Sequence, residues 1–125
     1  MLCYSLIEKR GDYIKKYINW KLISNKEVVI NNELVECEFE DNILKYYEDK
    51  DTINIVDLKN DVYIRENSEF TFKIDFKNRC FDYILKKEDL SIKNVSLEAT
   101  IEKDKEIHLK YNLGDDIKEI IIHLL

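Results

Sequence analysis

From about residue 17 to the end of the chain, apolar side chains recur at every second position. In "YINWKLI" Ile18, Trp20 and Leu22 share one face of an extended backbone. In "ELVECEFE" Val35, Cys37 and Phe39 do the same, with Leu34, Glu36, Glu38 and Glu40 opposite them. A period of two with one apolar face is the pattern of a half-buried strand. The segments "TINIVDL", "DVYIRE", "EFTFKID", "RCFDYIL", "NVSLEATI", "EIHLKYN" and "IKEIIIHL" repeat it, and turn-forming residues at 48–51, 59–61, 67–68, 77–79, 103–104 and 113–116 separate them. Connections this short join antiparallel neighbours, because a parallel pair needs a crossover of a dozen or more residues. About eight to ten strands in one small sheet system must close into a barrel or split into a sandwich. The pattern therefore predicts a mainly β, antiparallel meander over residues 17–125, closed into a barrel or split into a sandwich.

The last hairpin is specified in more detail. A two-residue loop at Gly114 and Asp115, with Gly first as in a type II′ turn, sets Leu113 against Asp116, Lys110 against Glu119, His108 against Ile121 and Glu106 against His123. Leu109 then faces Ile120 and Ile107 faces Ile122, so one face is an apolar ladder and the other pairs opposite charges. A slip of one residue would lose both features. The first sixteen residues do not alternate. Leu2, Cys3, Leu6 and Ile7, followed by Tyr13, Ile14, Tyr17 and Ile18, fit a helical stripe with Asp12 as N-cap. They are expected to form a short helix or an irregular cap (1–16) that runs into a first strand near Tyr17.

Composition narrows the class. A chain of 125 residues is expected to form a single domain. An apolar share of 45%, including 8 Tyr and 5 Phe, fits a globular core built from large side chains. The net charge of −6 is spread along the chain, and the Lys15–Lys16 and Lys86–Lys87 pairs are too short to make the basic surface that neutralises nucleic-acid phosphates. No apolar run approaches the ~20 residues of a spanning helix. Cys3, Cys37 and Cys80 are odd in number and far apart, and Glu8, Lys9 and Arg10 interrupt the N-terminal apolar stretch. Together these point to a reducing, cytoplasmic setting, without nucleic acid or membrane as partner. Cys37, in phase with Val35 and Phe39, reads as a small core residue.

Candidate chemistry is sparse. His108 and His123 are diagonal neighbours in the hairpin above, with Glu106 nearby, but Lys110 and Glu119 share that face and give it the character of a solvated surface. No metal and no cofactor is assigned. There is no GxSxG, no Cys beside a His, and no phosphate-cradling loop at the isolated Gly11 and Gly114, so the chain is read as non-enzymatic. The stretch "EFTFKIDF" is the remaining candidate, with Phe70, Phe72, Ile74 and Phe76 on one face. Ordinary core packing accounts for these residues, each contributing about 1.5–3 kcal/mol on burial. A barrel of about eight strands is also just wide enough to hold one small ligand. Under that alternative Phe70, Phe72 and Phe76 line the site, and the polar groups that orient the ligand are Tyr111, in phase with Ile107 and Leu109, and Lys118 opposite it.

The run from "ELVECEFEDNILKYYED" through "TINI" and "VYIRENSEFTFKIDF" to "EIHLKYNLGDDIKEIIIHL" resembles the YwiB-like family of small bacterial proteins, with "YYED", "YIRE" and "LKYNL" as the matching motifs. The lipocalin Gly-x-Trp is met only as "INW", with Ile18 in place of Gly. The resemblance implies a calycin-like, lipocalin-like antiparallel β-barrel and carries no catalytic residue, since the family has no established activity. The sequence thus leads to a small barrel protein, monomeric or homodimeric, that binds a small apolar ligand without catalysis. Its rival is a protein-interaction module with a fully packed barrel, docking through an edge or through Leu2, Leu6 and Ile7. The volume of the interior separates the two.

Overall fold

The computed structural model describes residues 15–125. The expectations for an N-terminal helix or cap and for the Leu2–Ile7 stripe fall almost wholly on residues 1–14, outside the described residues. Eleven strands follow in chain order: β1 (Lys16–Ser24), β2 (Glu27–Glu40), β3 (Ile43–Tyr47), β4 (Ile53–Asp57), β5 (Val62–Glu66), β6 (Phe70–Asp75), β7 (Cys80–Leu85), β8 (Leu90–Ser96), β9 (Ala99–Glu102), β10 (Ile107–Leu113) and β11 (Asp116–Leu124). There is no helix among the described residues.

All eleven strands belong to one antiparallel sheet of order β8-β7-β6-β5-β4-β3-β2-β1-β11-β10-β9, strongly curled into a half-barrel. Every pairing but one joins strands consecutive in sequence; the exception, β1 with β11, stitches the C-terminal meander to the N-terminal one. β8 and β9, only Leu97 and Glu98 apart in sequence, are the two edges of the sheet and do not pair with each other.

With no Pro and only 2 Gly in the chain, the turns depend on Asn and Asp, whose short polar side chains tolerate positive φ and hydrogen-bond to nearby backbone. Asn25 and Lys26, then Asp41 and Asn42, both have φ positive at successive positions, as a type I′ hairpin requires. "DLKND" and "DFKNR" close β4–β5 and β6–β7 alike. The carboxylate of Asp57 accepts from the backbone N–H of Lys59 and Asn60, that of Asp75 from Lys77 and Asn78, and Asp61 and Arg79 then take positive φ. In the β10–β11 loop only Gly114 has positive φ, at +62°, and the register is the predicted one from Ile107↔Ile122 to Leu113↔Asp116.

Three register shifts help the sheet to bend; one lies in β1–β2 between Leu22 and Ile23, and the other two are bulges held by a side chain. The β1–β2 register shifts between Ile18 and Trp20, where Leu34 adopts φ +54° and its N–H donates to Asn19 Oδ1 at 2.9 Å. The β7–β8 register shifts between Phe81 and Tyr83, where Asn94 adopts φ +57° and donates its N–H to Asp82 Oδ1 at 2.8 Å. In both bulges one extra residue kinks its strand, and a side chain across the ladder satisfies the N–H left over.

The concave face divides into two rows. Leu44, Val56, Tyr63, Ile74 and Phe81 are partners in succession across β3 to β7. Together with Ile18, Ile107, Leu109, Ile120 and Ile122 from the other flank they make up much of the apolar core. The second row runs Cys37, Tyr46, Asn54, Arg65, Phe72, Tyr83. It carries the polar residues, and the hollow lies against it.

Candidate functional site

The curl leaves a hollow of about 380 Å³ at one end of the half-barrel. That end is where β1, β3, β5, β7 and β10 finish and where β4, β6 and β11 begin, which is why its walls draw on residues far apart in sequence. Its apolar wall is aromatic, formed by Trp20, Phe70, Phe72, Phe81, Tyr83 and Tyr111. Phe72 stands at the centre, with ring centroids 5.8 Å from Phe81, 6.1 Å from Tyr83 and 5.8 Å from Tyr111. The last of these contacts joins β6 to β10, strands that do not pair with each other. Rings tilted at such distances attract edge to face, which gives the wall a fixed shape.

The polar side of the hollow is one connected network. The Arg65 guanidinium makes a bidentate pair with Glu48, with Nε at 2.7 Å from Oε1 and Nη2 at 2.8 Å from Oε2. Asn54 Nδ2 donates to Glu48 Oε1 at 2.9 Å, and the Tyr63 hydroxyl donates to Asn54 Oδ1. Arg65 also lies over the Phe70 ring at 5.3 Å. Burial alone would raise the Glu48 carboxyl, but the hydrogen bonds from Arg65 and Asn54 outweigh it and hold the group below the usual carboxylate range. The bidentate bond to Glu48 in turn holds Arg65 firmly protonated. Burial pushes the Tyr111 hydroxyl up to about 12, so it stays a neutral donor.

Lys118 faces Tyr111 across the β10–β11 ladder and donates its Nζ to Ser24 Oγ at 2.8 Å. No acidic side chain pairs with it among the described residues. The charged groups that line the hollow are therefore Glu48 and Arg65, which neutralise each other, and Lys118. The Trp20 ring lines it too, 5.2 Å from Tyr46, and the Trp20 indole N–H and Tyr46 hydroxyl are both buried without a hydrogen-bond partner among the described residues.

Of the residues singled out in the sequence, Phe70, Phe72, Tyr111 and Lys118 come together at the hollow. Phe76 does not. It lies at the other end of the half-barrel, in the core, where its N–H donates to Asp61 O beside the β4–β5 turn. The face of "EFTFKIDF" thus divides, its first half lining the hollow and its second half packing the core. Among the residues missed, which include the ring-bearing Trp20, Tyr63, Phe81 and Tyr83, the polar ones that matter are Glu48, Asn54 and Arg65. They share a face with Leu44 and Tyr46, with Val56, and with Tyr63 respectively, so each is a polar residue on an inward face. His108 Nε2 lies 2.9 Å from Glu119 Oε1, and His123 lies 4.0 Å from Glu106 on the outer face. No group of three or more His, Cys, Asp or Glu arranged to hold a metal occurs among the described residues. None of these has a helix long and apolar enough to cross a membrane.

No family model matches this chain, and neither a curated protein nor a solved structure does.

Proposed function

We propose that the protein is a non-catalytic, cytoplasmic binder that takes one small, largely apolar molecule into the hollow of a calycin-like half-barrel of the YwiB-like kind. The observation that carries this reading is the hollow itself. At about 380 Å³ it lies within the range of ligand pockets, roughly 300–1,000 Å³. Its make-up follows the same rule, mostly aromatic with a few convergent polar groups. A fully packed barrel would leave no space of this size. The absence of turnover rests on the chemistry of the lining. Glu48, its one carboxylate, is engaged by three donors from Arg65 and Asn54 and held ionised below the usual range, which makes it a weak general base. No Ser, Cys or His lines the hollow among the described residues.

The rival reading, a docking module, draws on the edge strand β8, where Leu90 and Ile92 are more than half exposed. Native mass spectrometry of gently purified protein decides between the two. The binding reading expects a small-molecule adduct that is lost on denaturation. Bare protein, unchanged after incubation with a panel of small apolar compounds, would overturn it and favour docking.

A further inference from the structure

The ligand proposed above is constrained further by the surplus of donors in the hollow. Arg65 is neutralised by Glu48, and Asn54 Oδ1 is taken by Tyr63. What remains is the Lys118 ammonium, held by a neutral hydroxyl, and opposite it across the β10–β11 ladder the neutral Tyr111 hydroxyl. The lining carries one net positive charge in a chain whose net charge is −6. A neutral ligand would leave that charge uncompensated, and a dianion such as a phosphate monoester would exceed it. The walls are tilted aromatic rings suited to an offset flat ring, and the space holds about a dozen water-sized groups at roughly 30 Å³ each.

We propose, resting on the binding reading, that the hollow takes a small aromatic monocarboxylate, its ring among Phe70, Phe72 and Tyr83 and its carboxylate toward Lys118 and the Tyr111 hydroxyl. Lys118 is then the residue that selects an acid over its neutral counterpart.

The test titrates the full chain with 3-phenylpropanoate and with the matched alcohol 3-phenylpropan-1-ol, following the fluorescence and indole N–H resonance of Trp20, the single Trp of the chain. The expected result is that the acid binds about tenfold or more tightly than the alcohol, as a charge-assisted bond implies, and that it shifts the indole resonance. Lys118→Met should bring the acid down to the affinity of the alcohol, and Lys118→Arg should keep the preference. Equal binding of acid and alcohol by the native chain would overturn the assignment of an anion and leave the binding reading standing. Binding of neither would overturn the aromatic acid class, and the adduct experiment would still decide the underlying reading. The native-chain ratio and the Arg variant decide the matter even if the Met variant fails to fold.

Discussion

Glu48 and Arg65 make the hollow a stable shape, and the two residues differ in exposure. The Glu48 side chain is 11% exposed and that of Arg65 39%, so the pair is worth less than a fully buried one. Glu48→Gln removes the anion from the guanidinium fork and leaves one of its arms without an acceptor. The expected loss is about 1–2 kcal/mol at pH 7, read by urea denaturation. The pH dependence has a definite sign. The folded carboxyl lies below its unfolded value of about 4.3, so its contribution is fully present above that value and is lost as pH falls through the folded one. The gap between native chain and variant should therefore be widest near neutrality and close in acid. A gap that stayed constant into acid would show that Glu48 does not carry it. The sequence could not point to this pair. In "TINIVDL" the flanking Ile53 and Ile55 suggest one inward phase, whereas Thr52, Asn54 and Val56 in fact face inward. Only the cross-strand register, Tyr46↔Asn54↔Arg65, reveals that a row of polar residues points into the concave face.

At the scale of elements, two positions with similar positive φ should respond in opposite ways. Leu34, at φ +54°, is 70% exposed and sits at a bulge that favours glycine. Leu34→Gly removes strain and exposed apolar surface together. It is expected to stabilise by about 0.5–1 kcal/mol, or raise Tm by about 2–5 °C. At Gly114, φ +62°, an added Cβ would meet nothing within 4 Å, so Gly114→Ala tests conformation alone and should cost about 1 kcal/mol. Thermal unfolding of both variants checks the pair; equal signs would refute the argument from φ. The same turn chemistry explains which strands were legible. β10–β11 was readable to the residue because its glycine announced the turn. β3 was missed because the Asp41–Asn42 turn sits at the end of the acidic run "ECEFEDN" and looks like its continuation. β8 and β9 merged into one expected strand because Val95, Leu97, Ala99 and Ile101 alternate straight through the seam between the two sheet edges.

At the scale of the whole molecule, all strand pairings but that of β1 with β11 close through short turns. That single pairing joins segments such as Ser24 and Lys118, which lie 94 residues apart. Closing a loop of that length costs roughly 4 kcal/mol in chain entropy, and the topology places the whole cost at one interface. Folding should therefore be limited by that encounter. Ile120→Val, at the buried centre of β11 and costing about 1 kcal/mol, is expected to slow folding and to leave unfolding nearly unchanged in a denaturant chevron. If the substitution acted on unfolding alone, the β1–β11 pairing would have to form after the barrier. Before this closure the polypeptide consists of two unequal meanders linked through Leu97 and Glu98, each with an apolar face in water. The rate at which they find one another sets how long those faces stay exposed to other chains.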